Sequence, residues 1–171
     1  MPLTLVLGGA RSGKSAHALE QAEALAAGVR PLLMVATAQA FDDEMVDRIA
    51  RHQAERGPAW RTVEAPLDLV ASLATLAPQD IAVVDCLTLW LTNVMLAELD
   101  VRSEVDALMR AAEKTSADVF FVSNEVGLSI VPDNALARRF RDEAGRLNRL
   151  MAAKANQVTM LFAGLPINLK A

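Results

Sequence analysis

The sequence predicts an α/β fold, a mostly parallel sheet with helices on both faces, in one domain over residues 1–171. Three observations lead there. Apolar strand-like runs alternate with helix-like runs along the chain, the pattern of βαβ units. Several of those runs, such as Leu3-Thr4-Leu5-Val6-Leu7 and Ile81-Ala82-Val83-Val84, are nearly continuous in apolar residues, as strands buried on both faces are. Between the first strand and the first helix lies Gly8-Gly9-Ala10-Arg11-Ser12-Gly13-Lys14-Ser15, which fits G-x-x-x-x-G-K-[ST].

That turn is a phosphate-binding pattern in its proper setting. A strand precedes it, and the Ala-, Leu-, Glu- and Gln-rich run Ala16 to Ala27 follows as a helix. Backbone N–H groups and a helix N-terminus then converge on one anion. Gly8 and Gly13 are expected at positive φ, letting the backbone close on phosphate. Lys14 is placed to reach the β- and γ-phosphates, and Ser15 to bind Mg²⁺. The motif specifies a nucleoside triphosphate without saying what is done with it.

The remaining elements follow in order. Gly28 ends the first helix. Pro31 to Ala36 reads as the second strand, with Thr37-Ala38-Gln39 at its carboxyl end, where open α/β sheets bind ligands. Asp42-Asp43-Glu44 opens a second helix, and Gly57-Pro58 closes it. Met45 and Ile49 face the core there, with His52 at the edge of their stripe. Arg48, His52 and Arg56 share a face at i, i+4 and i+8. Flanking guanidiniums would hold the imidazole neutral near pH 7, and so nucleophilic. The same spacing also suits a surface helix with ordinary charge pairs.

Trp60 to Glu64 reads as a short strand, and Pro66 opens a third helix running to Leu76. Asp80 to Asp85 is the clearest buried strand. Its terminal Asp85 has the form of a Walker B carboxylate for Mg²⁺, although an Asp there can also cap a helix. Cys86 to Leu99 is a nearly all-apolar helix with Thr88, Thr92 and Asn93 as its polar exceptions. Val101 to Thr115 is an amphipathic helix. Asp118 to Val122 is a strand with Ser123-Asn124-Glu125 at its end. Val126 to Pro132 is a loop unusually rich in apolar residues, suited to covering a ligand or meeting another subunit. Pro132-Asp133-Asn134 caps a long helix to Lys154, with Leu136, Phe140, Leu147, Leu150 and Met151 as its apolar stripe. Val158 to Ala163 is the last strand, ended by Gly164-Leu165-Pro166. Thr37, Glu64, Asp85, Asn124 and Glu125 all fall at strand ends on the edge that carries the phosphate loop.

Composition narrows the classes. With 171 residues, 53% of them apolar, and a mean hydropathy of +0.25, the chain can bury a full core. A formal charge of −4 disfavours a general nucleic-acid binder. The single cysteine, Cys86, excludes an intramolecular disulfide. Met1-Pro2 leads straight into the first strand, and no run is long and apolar enough to span a bilayer, so a cytoplasmic protein is expected.

A wider set of residues carries a resemblance. It comprises the phosphate loop, Ala36-Thr37-Ala38, Asp42-Asp43-Glu44-Met45 with Arg48-Ile49 and His52, and Trp60 to Glu64. Asn124-Glu125-Val126-Gly127 through Pro132, Leu136-Ala137-Arg138 with Phe140-Arg141-Asp142, and Gly145-Arg146-Leu147-Asn148 complete it. In this order they resemble the bifunctional adenosylcobinamide kinase / adenosylcobinamide-phosphate guanylyltransferase family over nearly the whole chain. The resemblance implies a RecA-like P-loop NTPase fold assembled as a homotrimer. It also implies two reactions. A nucleoside triphosphate, ATP or GTP, phosphorylates adenosylcobinamide. A histidine then takes GMP from GTP and passes it to adenosylcobinamide phosphate. Carried across, the nucleophile falls on His52. Nucleotide contacts fall on residues 8–15, on Ala36, Thr37 and Ala38, on Gln53, Ala54, Glu55 and Arg56 after the histidine, and on Glu64 and Asp85. The metal is Mg²⁺, with Ser15 and Asp85 as its protein ligands. Two other classes fit the phosphate loop alone: a plain small-molecule kinase, and a non-catalytic nucleotide-controlled binding module.

Overall fold

The computed structural model describes residues 2–39 and 57–171. The predicted second helix, with Arg48, His52, Gln53, Ala54, Glu55 and Arg56, lies outside the described residues.

The described chain forms β1 (Leu3–Gly8), α1 (Lys14–Ala26), β2 (Leu32–Ala36), β3 (Trp60–Glu64), α2 (Leu69–Ala74), β4 (Ile81–Asp85), α3 (Leu87–Leu96), α4 (Val101–Lys114), β5 (Asp118–Asn124), α5 (Ala135–Lys154), β6 (Gln157–Phe162) and β7 (Leu165–Lys170). The strands make one sheet in the order β3-β2-β4-β5-β1-β6-β7. Every neighbouring pair is parallel except β6 and β7.

Alternation of side chains across the sheet builds two cores of unequal size. Leu3, Leu5 and Leu7 of β1, with Val84, Val119 and Phe121, face α2, α3, α4 and α5. Val6, Met34, Val83, Phe120 and Val122 face α1 on the other side. Small residues let α1 lie close to the strands, because Ala18, Ala22 and Ala26 recur at i, i+4 and i+8 and are all buried. In α3, Leu87, Trp90, Leu91 and Val94 are fully buried, as expected of a helix that is apolar nearly all round. Both α4 and α5 start at side-chain caps. Asp100 accepts from the Ser103 N–H, and Asn134 from the Ala137 N–H. Such a cap stabilises a helix by about 1 kcal/mol.

Three expectations need correction. Pro66 does not open a helix, and α2 covers only Leu69–Ala74. The carbonyls of Pro66 and Leu67 instead accept from Asn93 Nδ2 and Trp90 Nε1, so this stretch is tied to α3. Leu136 is not part of the buried stripe of α5, which is Ala144, Leu147, Asn148 and Met151. Gly164 does not end the sheet. Ala163 and Gly164, at φ of 50° and 80°, form a two-residue turn. Beyond it β7 runs back along β6, with Phe162 opposite Leu165.

Candidate active site

Register fixes the carboxyl edge of the sheet. Gly8 lies beside Asn124, Val122 beside Asp85, Asp85 beside Ala36, and Ala36 beside Glu64. The five strand-end residues named from sequence are therefore brought to one edge. They are not equidistant from the phosphate loop. At about 4.8 Å per strand, β5 is one spacing from β1, β4 about 10 Å away and β3 about 19 Å away.

The phosphate loop leaves β1 at Gly8 and enters α1 at Lys14. Gly13 is its left-handed residue at φ 88°, joined by Arg11 at φ 54°. Gly8 is required for a different reason from the one expected. It stays in the strand, and a Cβ there would sit 2.3 Å from Ser12 Oγ and 3.1 Å from the Leu161 carbonyl oxygen. Ser12 is packed into that gap, its buried hydroxyl finding no hydrogen-bond partner among the described residues. Lys14 Nζ donates to the Gly9 carbonyl at 3.2 Å, so its ammonium lies over the loop. Gly9 and Ser15 are half-buried, while Ala10 and Arg11 are exposed. His17, the other histidine, lies one turn into α1, where its backbone N–H donates to the Gly13 carbonyl.

Beyond the loop, buried polar groups hold the strand ends together. Thr37 has no exposed surface. Its hydroxyl donates to the Cys86 carbonyl and accepts from the Cys86 N–H, both at 2.8 Å. Its own N–H donates to the Asp85 carbonyl, and Asn93 Nδ2 donates to its carbonyl. Thr37 thus fastens β2 to the end of β4, beside Asp85. Ala36 and Ala38 are half-buried on either side, as is Asp85, and Glu64 is exposed at the end of β3.

A second set of bonds fixes the end of β5. Asn148 on α5 accepts from Ser123 Oγ at 2.6 Å and donates to the Asn124 carbonyl at 3.0 Å. Asn124 Nδ2 donates to Thr88 Oγ1 at 2.7 Å, and Thr88 Oγ1 lies 3.1 Å from Cys86 Sγ. The Glu125 N–H donates to the Gly8 carbonyl, tying this strand end to the start of the phosphate loop. Burial, and then the neighbouring Asp85 carboxylate, push the Cys86 thiol above its ordinary value of 9.0. It is a protonated, inert group here.

Sequence reasoning assigned no role to Cys86, Thr88, Asn93 and Asn148. Three of them were visible as polar exceptions or as the lone cysteine in an apolar run. Their partners are distant in the chain, so their purpose was not.

Among the described residues, no three His, Cys, Asp or Glu side chains cluster as a metal cage. Ser15 and Asp85 instead supply hard oxygen donors at the loop and at the neighbouring edge. That donor set suits Mg²⁺, which is commonly held by one or two protein oxygens together with substrate phosphates.

The sequence matches the family described as cobinamide kinase / cobinamide phosphate guanyltransferase over residues 4–169. The chain belongs to this family. A curated member from Pseudomonas aeruginosa, the bifunctional adenosylcobalamin biosynthesis protein CobP, is 46% identical over 97% of this chain and 96% of its own. The bifunctional adenosylcobalamin biosynthesis protein CobU of Salmonella typhimurium is 40% identical over 98% and 99%. Among solved structures, the flagellar accessory protein FlaH of Methanocaldococcus jannaschii superposes with a TM-score of 0.53 at 14% identity, covering 99% of this chain and 78% of its own. That likeness concerns the fold alone, which is that of a P-loop NTPase, as the phosphate loop and the parallel sheet require.

Proposed function

We propose that this chain performs both reactions of its family at the carboxyl edge of one sheet. In the first, the γ-phosphoryl group of ATP or GTP moves to the aminopropanol hydroxyl of adenosylcobinamide. In the second, GMP moves from GTP to adenosylcobinamide phosphate, giving adenosylcobinamide-GDP. The observation that carries this reading is the family match along almost the whole chain, together with a complete phosphate loop at the sheet edge.

His52 is the nucleophile of the second reaction. Its imidazole nitrogen bonds to the α-phosphorus of GTP as the bond to pyrophosphate breaks. A phosphate oxygen of the corrinoid then displaces the imidazole, which leaves neutral. Splitting one transfer into two in this way is covalent catalysis. Lys14 and the loop N–H groups balance charge on the phosphates, worth about a hundredfold or more per lost donor. Residues 8–15, Ala36, Ala38, Gln53, Ala54, Glu55, Arg56, Glu64 and Asp85 hold the nucleotide. Thr37 holds it with them, through the backbone that its hydroxyl pins. Ser15 and Asp85 would hold Mg²⁺, which would supply further neutralisation of phosphate charge.

The enzyme works as a homotrimer in the cytoplasm, where its nucleotide substrates are made. No helix among the described residues is long and apolar enough to cross a membrane.

Two labels test the reading. Adenosylcobinamide is supplied with GTP labelled at the γ-phosphate or at the α-phosphate, and the corrinoid product is isolated. Both labels should enter the product. An α-label that never leaves the nucleotide pool would reduce the protein to a kinase.

A further inference from the structure

The first reaction consumes a neutral hydroxyl, and the second an acceptor that is already an anion. Only the first has a proton to remove at the attacking oxygen, so a general base serves that half alone. This chemistry follows from the function proposed above, and the inference rests on that reading.

Among the described residues, three carboxylates named from sequence stand on the carboxyl edge. Glu64 is about four strand spacings from β1, near 19 Å, and exposed. Asp85 is two spacings away and carries the metal role. Glu125 follows β5, the strand beside β1, and its N–H is bonded to Gly8, the first residue of the phosphate loop. The residue is half-buried and its carboxylate is held in place, since Oε1 accepts from the Gly127 N–H at 2.7 Å. The second carboxylate oxygen is not engaged by that bond. We propose that Glu125 takes the proton from the acceptor hydroxyl in the phosphoryl-transfer half. As the acceptor oxygen bonds to the γ-phosphorus, its proton passes to the Glu125 carboxylate. The bond from the γ-phosphorus to the bridging oxygen breaks, and the nucleoside diphosphate leaves. The carboxyl group then returns its proton to solvent.

The simplest competing role for Glu125 is to brace the turn through Gly127. Glu125→Gln separates the two, because its amide oxygen can still accept from the Gly127 N–H but its side chain cannot take a proton. The two halves are assayed separately on one preparation. ATP with adenosylcobinamide reports phosphoryl transfer, and GTP with preformed adenosylcobinamide phosphate reports guanylyl transfer. Glu125→Gln should lower kcat of phosphoryl transfer by roughly a hundredfold or more, with KM for ATP little changed. It should also flatten the acidic limb of that pH profile. Guanylyl transfer should stay near wild type, and Glu125→Asp should recover part of the lost rate. A Glu125→Gln enzyme with wild-type phosphoryl transfer, or one in which both halves fall together, overturns the inference. A wild-type protein that transfers neither group overturns the underlying reading as well.

Discussion

Thr37 illustrates how a buried hydroxyl fixes the backbone of a candidate site. Its hydroxyl pairs with both backbone groups of Cys86, so Thr37→Val would keep the shape and strand both partners in a dry environment. Each unsatisfied buried group costs about 1–3 kcal/mol, and a loss of about 2 kcal/mol or more is expected in urea unfolding. Asn148→Ala should behave alike, because it orphans the Ser123 hydroxyl and the Asn124 carbonyl. Cys86 adds a pH dependence. Its thiol is held protonated in the folded protein, whereas in the unfolded chain it ionises near the ordinary 9.0. The stability it contributes is complete below that value and is lost as pH rises through the higher folded value. Cys86→Ala should therefore show a flatter alkaline decline in stability, and the native thiol should resist alkylation at pH 8. The positions of Lys14 at a helix start and Asp85 at a strand end were legible in the sequence, because a motif and an apolar run mark them. The Thr37, Cys86, Thr88, Asn124 and Asn148 bonds were not, because each joins residues more than twenty positions apart or depends on how α3 meets the sheet.

Elements were most legible where the pattern was strong. The parallel strands β1, β2, β4 and β5 appeared as apolar runs close to their observed bounds. The hairpin to β7 escaped because its turn is Ala163-Gly164 rather than the usual Asn-Gly, and because Pro166 in the following run argues against a strand. Pro166 is tolerated because β7 is an edge strand. A non-glycine residue at positive φ costs about 1–2 kcal/mol. Ala163→Asn would place a residue suited to that conformation there, and should raise stability by up to about 1 kcal/mol in thermal unfolding. The same change should leave phosphoryl and guanylyl transfer intact. The helix expected from Pro66 to Leu76 is present but shorter, Leu69–Ala74, because Pro66 resembled a helix start while its carbonyl was needed by Asn93.

On the scale of the whole molecule, exposed apolar side chains gather in two stretches among the described residues. Along the edge hairpin are Phe162, Leu165, Ile167 and Leu169, and in the loop after Glu125 are Leu128, Ile130 and Val131. An open edge strand bearing apolar side chains is a hazard that natural proteins usually cover. The homotrimer proposed here would cover such surface, and light scattering of the purified protein should give three chain masses. Covalent chemistry within a single chain is what separates the two-reaction enzyme from a kinase. Intact-protein mass after incubation with GTP and Mg²⁺, for wild type and for His52→Ala, tests it most directly. Wild type should gain one GMP, stable in base and lost in acid as a phosphoramidate is, and His52→Ala should gain none. An unmodified wild type, or an equal gain in the variant, would contradict it.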